Sequence, residues 1–560
     1  MENKSVARTL RFLSQLMELH EENSFKVKSM ANAAFKVDKL PYPISSKSLA
    51  EIEQVDGLGK STASKIWELI NNGSIKDLND LELKTPAGIL EMLRIKGMGP
   101  KKISVIWKDL GIENLGELYY ACNENRLIEA KGFGLKTQDE IKKIIEFNMA
   151  SSGRNLYARV EDFAKGLMSG LKEGISSTTL CFTGDYRRKC EIIDGLDILC
   201  TSDLKEEIKQ YLKTTGLPIL EESPARLTSE NSEGLKIFFD FCALDEFGWQ
   251  LIEKTGNNEH VRSLKLLVGN VNTEGRTEAE IYSLAGIPYI EPELREGSNE
   301  FDLAKRNALP ELITFADLKG SLHNHSNWSD GVNTLEEMAL FCRDILKMEY
   351  LGICDHSKSA FYAQGLSEIR VAAQHREIDD LNKLLAPFHI FKGIESDILY
   401  DGSLDYSDDI LKTFDFVVAS IHSILKMTEE KATQRLIKAI ENPYTTMLGH
   451  PTGRMLLTRS GYPIDHKKVI DACAANRVVI EINSNPLRLD LDWRWHQYAL
   501  NKGVMLSVNP DAHRTAGFMD MHYGIFIARK GGVSASNCLN AMNAEEIGKY
   551  FLTKKPVHVS

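Results

Sequence analysis

The chain has 560 residues, of which 43% are hydrophobic and 26% are charged, values typical of a soluble globular protein with about three to five domains. No apolar run reaches membrane-spanning length, the amphipathic N-terminus is unlike a signal peptide, and the nine cysteines form no CxxC pair, so we expect a cytoplasmic protein with reduced thiols. The net charge of −11 argues against bulk nucleic-acid binding.

Charge and histidine are distributed unevenly along the chain. Residues 1–150 contain 22 Lys and Arg against 21 Asp and Glu, a net charge of +1, which leaves −12 for the remainder. DNA contacts are therefore expected from local backbone and lysine features of the N-terminal part. Twelve of the 14 histidines follow residue 320, which predicts a C-terminal metal domain.

Residues 1–150 read as short helices joined by glycine turns, and three turns share the order Gly-x-Gly and then a helix rich in Lys, Ser or Thr: VDGLGKSTASKI (55–66), IKGMGPKKISVI (95–106) and AKGFGLKTQDEI (130–141). The glycines allow a tight turn, and the helix N-terminus offers N–H groups to a phosphate. One such turn is equally compatible with a plain helix–helix connection, but three favour helix-hairpin-helix binding of the DNA backbone. The predicted DNA-binding residues are Gly57, Gly59, Lys60, Gly97, Gly99, Lys101, Gly132 and Gly134.

Residues 151–265 mix helix and strand patterns, with strands predicted at TTLCFTG, GLDILC and LKIFFDFCAL.

From residue 318 onward, short apolar runs repeatedly end in a metal-binding type of side chain. These side chains are His323, His325, His356, Glu395, His422, His450, Asp511 and His513, with Glu481 in the same position as a weaker candidate. Seven strand–ligand–helix units predict a (β/α) barrel whose ligands lie at the carboxyl ends of the strands. His, Asp and Glu without Cys suit Zn²⁺ or Mn²⁺ in a water-activating cluster.

The motifs HNHSNWSDG, CDHS, GIES, ASIHS, GHP and NPDAH resemble, in order, those of the polymerase-and-histidinol-phosphatase (PHP) domain over most of residues 318–560. The resemblance implies a distorted seven-stranded barrel that binds up to three Mn²⁺ or Zn²⁺ ions. It implies one ion on His323, His325, Glu395 and Asp511, a second on Glu395, His422 and His450, and a third on Asp330, His356 and His513.

The order of the upstream motifs extends the resemblance to nearly the whole chain. The hairpin turns, GDYRRKCEIIDGLDIL (184–199), EKTGNNEHVRSL (253–264) and YSLAGIPYIEPELREG (282–297) resemble a bacterial family X DNA polymerase. That family implies a multidomain α+β and α/β chain with a helical lyase-like domain (1–85), a fingers-like helix-hairpin-helix domain (86–150), a nucleotidyltransferase palm (151–265), a thumb and linker (266–317) and a PHP domain (318–560). It also implies repair-type gap filling and a metal-dependent 3′–5′ exonuclease acting on gapped, nicked or 3′-ended duplex DNA. We expect a monomer.

The palm departs from the family pattern at four places. In the alignment on Gly184, Asp185 replaces the triphosphate-binding Ser, Gly195 replaces the first metal-binding Asp, Phe238 replaces the third carboxylate, and Glu253-Lys254 replace an aromatic pair. Only the second metal-binding carboxylate is kept, as Asp197. These departures predict an inactive or very weak polymerase centre and argue against Mg²⁺ and dNTP binding there. The palm residues predicted to keep DNA or nucleotide contacts are Arg188, Thr255, Gly256 and Arg262.

Lys65 lies six residues after Gly59, where the family has a lysine that forms a Schiff base with 5′-deoxyribose phosphate; a plain solvated lysine is the alternative. We therefore predict a repair protein whose PHP domain processes DNA 3′ ends, with Asp197 and Lys65 as the catalytic candidates outside that domain. Three alternatives stay open. They are a complete polymerase and exonuclease in which Asp194 or Asp240 rescues metal binding, a DNA-end scaffold with a vestigial nuclease, and a small-molecule phosphoesterase fused to inert domains.

Overall fold

The computed structural model describes residues 1–554 except residues 94, 96, 129, 131, 151, 152 and 176–178. The chain divides into two compact units, Met1–Ile145 and Glu146–Ser560. Among the described residues, no helix combines the length and apolar composition that crossing a lipid bilayer requires.

The first unit is helical. Its helices are α1 (Asn3–Leu19), α2 (Ser24–Lys39), α3 (Leu49–Glu53), α4 (Lys60–Asn72), α5 (Lys76–Lys84), α6 (Ala87–Met92), α7 (Pro100–Ser104), α8 (Leu115–Asn123) and α9 (Leu135–Ala150). The three predicted glycine turns have the expected backbone, because Gly57, Gly97 and Gly132 have φ of 78°, 90° and 91°. The second glycine of each turn directly precedes α4, α7 or α9, so each helix N-terminus follows its turn as the motif requires.

The second unit begins with a mixed sheet and its helices. The strands are β1 (Asn155–Leu156), β2 (Leu180–Phe182), β3 (Ile192–Ile193), β4 (Leu196–Thr201), β5 (Ile219–Glu222), β6 (Arg226–Glu230) and β7 (Lys236–Cys242). The helices are α10 (Tyr157–Gly174), α11 (Gly184–Arg187), α12 (Lys205–Thr215), α13 (Phe247–Thr255), α14 (Asn258–Val268), α15 (Glu278–Leu284) and α16 (Glu300–Lys305). Five strands form a sheet in the order β2-β4-β7-β6-β5, in which only β4 and β7 are parallel, and β1 pairs separately with β3.

Seven parallel strands follow in chain order and form a nearly closed barrel. They are β8 (Gly320–Ser321), β9 (Tyr350–Ile353), β10 (His389–Asp397), β11 (Phe416–Ser420), β12 (Met447–Leu448), β13 (Val479–Asn483) and β14 (Leu506–Asn509). The surrounding helices are α17 (Leu335–Leu340), α18 (Glu368–Leu385), α19 (Asp408–Leu411), α20 (Glu429–Ile440), α21 (His466–Asn476), α22 (His496–Asn501), α23 (Met521–Lys530) and α24 (Ala544–Lys554). The first and last strands meet beyond their carboxyl ends, where Asn324 and Ala512 form a parallel bridge.

The barrel strands are buried on both faces, which explains their continuous apolar sequences. Glycine is required at Gly352, because an added Cβ would lie 2.7 Å from the Phe416 ring in the barrel core. The predicted fold class, helical hairpins followed by mixed and barrel-type α/β structure, is confirmed.

Candidate functional site

The nine predicted metal ligands converge at the carboxyl-end face of the barrel. They come from six of the seven strands: three follow β8, two follow β14, and one each follows β9, lies in β10, follows β11 and follows β12. Their side chains are at most 8% exposed, so they form one buried polar centre. Two of them have a left-handed backbone, with φ of 22° at His450 and 53° at Asp511, a strain that such sites commonly hold.

Glu395, in β10, lies in the middle of this centre, close to five of its histidines. Its Oε1 lies 3.3 Å from His323 Nε2, 3.1 Å from His422 Nε2 and 3.0 Å from His450 Nε2. Its Oε2 lies 3.0 Å from His356 Nδ1 and 3.6 Å from His325 Nε2. Two ligand atoms bound tetrahedrally to one ion at about 2.1 Å are about 3.4 Å apart, so these separations would suit residues that hold a cation together.

The two aspartates complete the centre. Asp330 lies 3.4 Å from His513 Nε2 and 3.6 Å from His356 Nε2, while Asp511 Oδ1 lies 3.0 Å from His325 Nε2. Three groups of donor atoms are close enough to hold an ion: His325, Asp330, His356 and His513; His323, His325 and Asp511; His356, Glu395 and His422. The predicted third set therefore lies together, with His325 added. The assignment of each residue to a particular ion stays a prediction.

The arrangement of the donor atoms suits metal binding better than it suits hydrogen bonding between them. His323 Nε2, His356 Nε2, Asp330 Oδ2 and Glu395 Oε2 are buried and make no hydrogen bond of good geometry within the described part of the chain. Buried polar atoms are rarely left in that condition, so their arrangement favours divalent cations as the missing partners.

Electrostatic coupling at the centre is strong. Burial opposes charge on His422, but the Glu395 and Asp397 carboxylates outweigh it and raise the pKa of His422 to about 10. His325 behaves oppositely, because burial and the neighbouring His513 and His356 lower its pKa to about 3. The carboxylates and imidazoles of the centre therefore shift the pKa values of neighbouring histidines in opposite directions.

Two acidic residues outside the predicted ligand set orient the ligand rings. Glu481 Oε1 accepts from His323 Nδ1 at 2.7 Å, and its Oε2 accepts from the His450 backbone N–H at 2.7 Å. Asp397 Oδ1 is 2.5 Å from His422 Nδ1. The two ring bonds, at His323 Nδ1 and His422 Nδ1, leave Nε2 of those rings facing Glu395, the usual arrangement of a ligating histidine. Asp397 lies two residues after Glu395 on one strand, and this period of two is the sequence signal for a shared face.

Asp355 holds the loop that carries His325 and Asp330. This buried carboxylate accepts hydrogen bonds from the backbone N–H and hydroxyl groups of Ser326 and Ser329, and from Gln374 Nε2. Apart from the position of Asp355 two residues after β9, no local pattern indicated this role.

At the predicted palm centre, an aromatic side chain lies where the family pattern has a metal-binding carboxylate. Phe238 pairs with Asp197 across β7 and β4, and a Cβ added at Gly195 would lie 2.9 Å from the Phe238 ring. The Arg226 guanidinium lies 5.0 Å from that ring. Phe238 and Gly195 are therefore complementary in volume, and the aromatic ring occupies the space beside Asp197.

The remaining palm carboxylates are neutralised within the protein. Arg226 bonds both oxygens of Asp240 at 2.7 and 2.9 Å and lies 3.9 Å from Asp197, while Lys254 Nζ lies 3.0 Å from Asp240. Burial opposes ionisation of Asp240, but Arg226 and Lys254 hold its pKa below the usual value, whereas burial raises the pKa of Asp197. Asp194 lies before β4, 80% exposed.

The predicted nucleotide contacts are engaged internally or exposed. Arg188 bonds Asp185, Glu296 Oε1 at 3.0 Å and the Thr255 carbonyl at 2.7 Å. The Thr255 hydroxyl accepts from Arg187 at 2.8 Å. Gly256 begins the turn into α14, where an added Cβ would lie 2.8 Å from the His260 ring. Arg262 is exposed and pairs with Glu259 at 2.6 Å. These assignments stay predictions.

Lys65 lies on α4 beside a cavity of about 510 Å³ in the first unit. Its ammonium pairs with Asp77, and its side chain is 19% exposed. Lys26 and Lys84 line the same cavity, so three basic side chains of the first unit face one space.

Comparison with known proteins agrees with this combination of hairpins, sheet and barrel. Residues 1–75 match the helix-hairpin-helix domain family, and residues 89–146 match the SAM-like helix-hairpin-helix tandem family. Helix-hairpin-helix segments followed in the chain by a mixed sheet and a barrel of metal-type ligands define a DNA-processing class of protein. The chain is 32% identical to the DNA polymerase/3′-5′ exonuclease PolX of Bacillus subtilis (strain 168) over 98% of its own length and 99% of that protein. It belongs to this bacterial family X DNA polymerase/3′–5′ exonuclease family.

Shorter relatives carry a different name. A probable phosphatase of Thermoanaerobacter sp. (strain X514) is 30% identical over 30% of this chain and 69% of its own length. A probable phosphatase of Caldicellulosiruptor bescii is 31% identical over 33% of this chain and 75% of its own length. The chain thus shares a limited segment with proteins named as phosphatases and its full length with a polymerase–exonuclease.

Proposed function

We propose that this protein is a DNA-repair nuclease whose barrel hydrolyses phosphodiesters at DNA 3′ ends, with a palm whose polymerase activity is weak or lost. The observation that carries the proposal is the convergence of nine buried His, Asp and Glu side chains around Glu395. The substrate is the 3′ end of a gapped, nicked or 3′-ended duplex, and the acting species is a cytoplasmic monomer.

The barrel residues have distinct roles in the proposed hydrolysis. Mn²⁺ or Zn²⁺, up to three ions, would be held by the nine ligands and would supply Lewis-acid activation of the attacking water and neutralisation of the phosphoryl oxygens. Glu481 and Asp397 hold the rings of His323 and His422 in one tautomer, and burial of the set excludes bulk water. Hydrolysis of the last phosphodiester breaks its P–O3′ bond, which leaves a 3′-hydroxyl and releases a nucleoside 5′-monophosphate.

The palm supports the second half of the proposal. Nucleotidyl transfer needs carboxylates that share two cations about 3.5–4 Å apart. Here the Phe238 ring fills the space beside Asp197, and Arg226 and Lys254 supply the positive charge that cations supply elsewhere. Asp240 is therefore unsuited to rescue the missing ligand, which counts against the bifunctional alternative.

The decisive experiment is incubation of a 5′-labelled gapped duplex with Mn²⁺, with and without dNTPs. We expect shortened bands in both reactions and no extension. Extension that disappears in Asp197→Ala would establish the bifunctional alternative instead. Loss of trimming in His325→Ala separates a working nuclease from a scaffold, since a scaffold would bind DNA without shortening it. Hydrolysis of histidinol phosphate without any DNA cleavage would support the small-molecule alternative.

A second activity is favoured by the cavity of the first unit. We propose that Lys65 forms a Schiff base with a 5′-deoxyribose phosphate, while Lys26 and Lys84 face the same cavity and attract the phosphate. Asp77, which pairs with the Lys65 ammonium, would hold that side chain beside the cavity.

A further inference from the structure

Helix α23 packs against both the barrel and the palm. It follows the ligands Asp511 and His513 after a 3₁₀ turn at Thr515–Asp520. Its backbone is in close contact with the ends of β13 and β14, because a Cβ added at Gly524 would overlap Ser484. The helix is therefore held against the strands that lead into the metal centre.

The other face of α23 packs against the palm. Its Phe526 ring meets Tyr157 edge to face at 5.4 Å, and Lys189 Nζ lies 4.4 Å from the same ring. Tyr523 and Phe526 pack against the buried apolar cluster formed by α10 and the palm sheet. One helix thus contributes to the barrel core on one side and to the palm core on the other.

Charge complementarity fixes this contact. Four glutamates of the palm and thumb regions each pair with a basic residue of the barrel region, and none of the four has a side chain more than 14% exposed. The pairs are Glu161–His522 at 2.9 Å, Glu191–Arg494 at 3.0 Å, Glu293–Arg529 at 2.8 Å and Glu296–Lys530.

All four acids lie on one side of this contact and all four bases on the other. The acids are buried while Arg494 and His522 are partly exposed, so the pairs add little net stability, but a buried glutamate that loses its partner is costly. Such pairs therefore favour one arrangement of the palm and thumb regions against the barrel over other arrangements.

Glu296 extends the link to the predicted nucleotide arginine. Its Oε1 accepts from Arg188 Nε at 3.0 Å and also pairs with Lys530, whose Nζ donates to the Arg188 carbonyl at 3.1 Å. The palm residue assigned to nucleotide contact is thus joined to the last residue of α23.

We propose that α23 and its glutamate partners are positioning residues of the nuclease: they fix the palm and thumb beside the metal centre, so that DNA held by the palm and thumb presents its 3′ end to the metal ligands. The inference rests on the proposed 3′-end nuclease function. A DNA substrate contacts both regions, whereas a small phosphodiester contacts the metal centre alone. Misplacement by about 1 Å far from the chemistry can cost about 100-fold in rate, so loosened docking should affect DNA and spare the small ester.

The test uses charge reversal at the Glu293–Arg529 pair in the full chain. Glu293→Arg, Arg529→Glu and the double variant are compared for Mn²⁺-dependent trimming of 5′-labelled DNA and for hydrolysis of bis(p-nitrophenyl) phosphate. Each single variant should lose at least about tenfold in kcat/KM on DNA and stay within about twofold on the ester, and the double variant should recover DNA trimming. The exposed pair Glu545–Lys549 on α24, 2.5 Å apart, supplies matched reversals that should change neither activity.

Three results would overturn the inference: equal losses on DNA and ester, which would make the helix only a support of the metal centre; full DNA activity in the single variants; or a folded double variant that fails to recover. Should a reversal prevent folding, Glu293→Gln and Glu161→Gln remove the charge more gently and must show the same split between DNA and ester. Wild-type protein that cleaves the ester but not DNA would instead refute the proposed function, before any variant is compared.

Discussion

Replacement of Glu481 by glutamine tests whether this residue acts through its two ligand neighbours. Four donors face the carboxylate: His323 Nδ1 and the His450 N–H at 2.7 Å, Asn509 Nδ2 at 3.3 Å and Asn483 Nδ2 at 3.5 Å. Glutamine keeps the shape but offers one acceptor oxygen and an NH₂ group in place of the second oxygen. Either orientation therefore sets that NH₂ against one of the two close N–H donors.

The magnitude follows from the buried donor left without an acceptor. Glu481 is fully buried, so no bulk water replaces the lost bond, and an unsatisfied buried donor costs about 1–3 kcal/mol. The cost falls on the ring orientation of His323 or on the backbone of His450, both of which face Glu395. Loss of such an orienting bond weakens metal affinity by about 10- to 100-fold, and we expect a shift of that size in the Mn²⁺ concentration for half-maximal activity.

The assay is a Mn²⁺ titration of chelator-treated protein, with metal binding measured by calorimetry and DNA trimming measured in parallel. Glu481→Gln should show weaker binding in both measurements and should approach wild-type activity at saturating Mn²⁺. Glu545→Gln, on the exposed end of α24, is the matched control and should superimpose on wild type. A Glu481→Gln titration that also superimposes on wild type would refute the orienting role.

Three further predictions concern other parts of the chain. Asp511→Ala should reduce DNA trimming to background, because Asp511 lies 3.0 Å from His325 in the ligand cluster; retained trimming would remove this cluster from the reaction. Burial lowers the pKa of His496 to about 4, so its neutral form favours the fold and stability falls as the pH drops from about 6.5 toward 4. In urea unfolding, His496→Gln should therefore lose about 2 kcal/mol less than wild type between pH 7.5 and pH 5, and equal losses would contradict this. Lys65→Ala should abolish borohydride trapping of a 5′-deoxyribose phosphate adduct, and an undiminished adduct would assign that chemistry to another amine.

The sequence by itself determined the features whose signal is local. A ligand type at the end of successive apolar runs placed eight of the nine ligands at one face of a parallel barrel, because the carboxyl ends of parallel strands meet at one edge, and the family resemblance added Asp330. The Gly-x-Gly turns were equally readable, since a positive φ at Gly57, Gly97 and Gly132 depends on the absence of a side chain. The family pattern likewise predicted that Gly195 and Phe238 stand where metal-binding carboxylates would join Asp197.

Only the tertiary structure decided which atoms meet across long separations in the chain. Glu481 became an orienting residue because strand order places it beside His323, 158 residues earlier. Arg226 and Lys254 neutralise Asp240 from the neighbouring strand β6 and from helix α13, which no local pattern aligns. The pairing of Glu161 with His522 spans 361 residues, and it exists because α23 packs on the barrel and the palm at once. Residue type and hydrophobic period are properties of the local sequence. The partner that neutralises a charged side chain, in contrast, depends on which distant residues the fold places beside it.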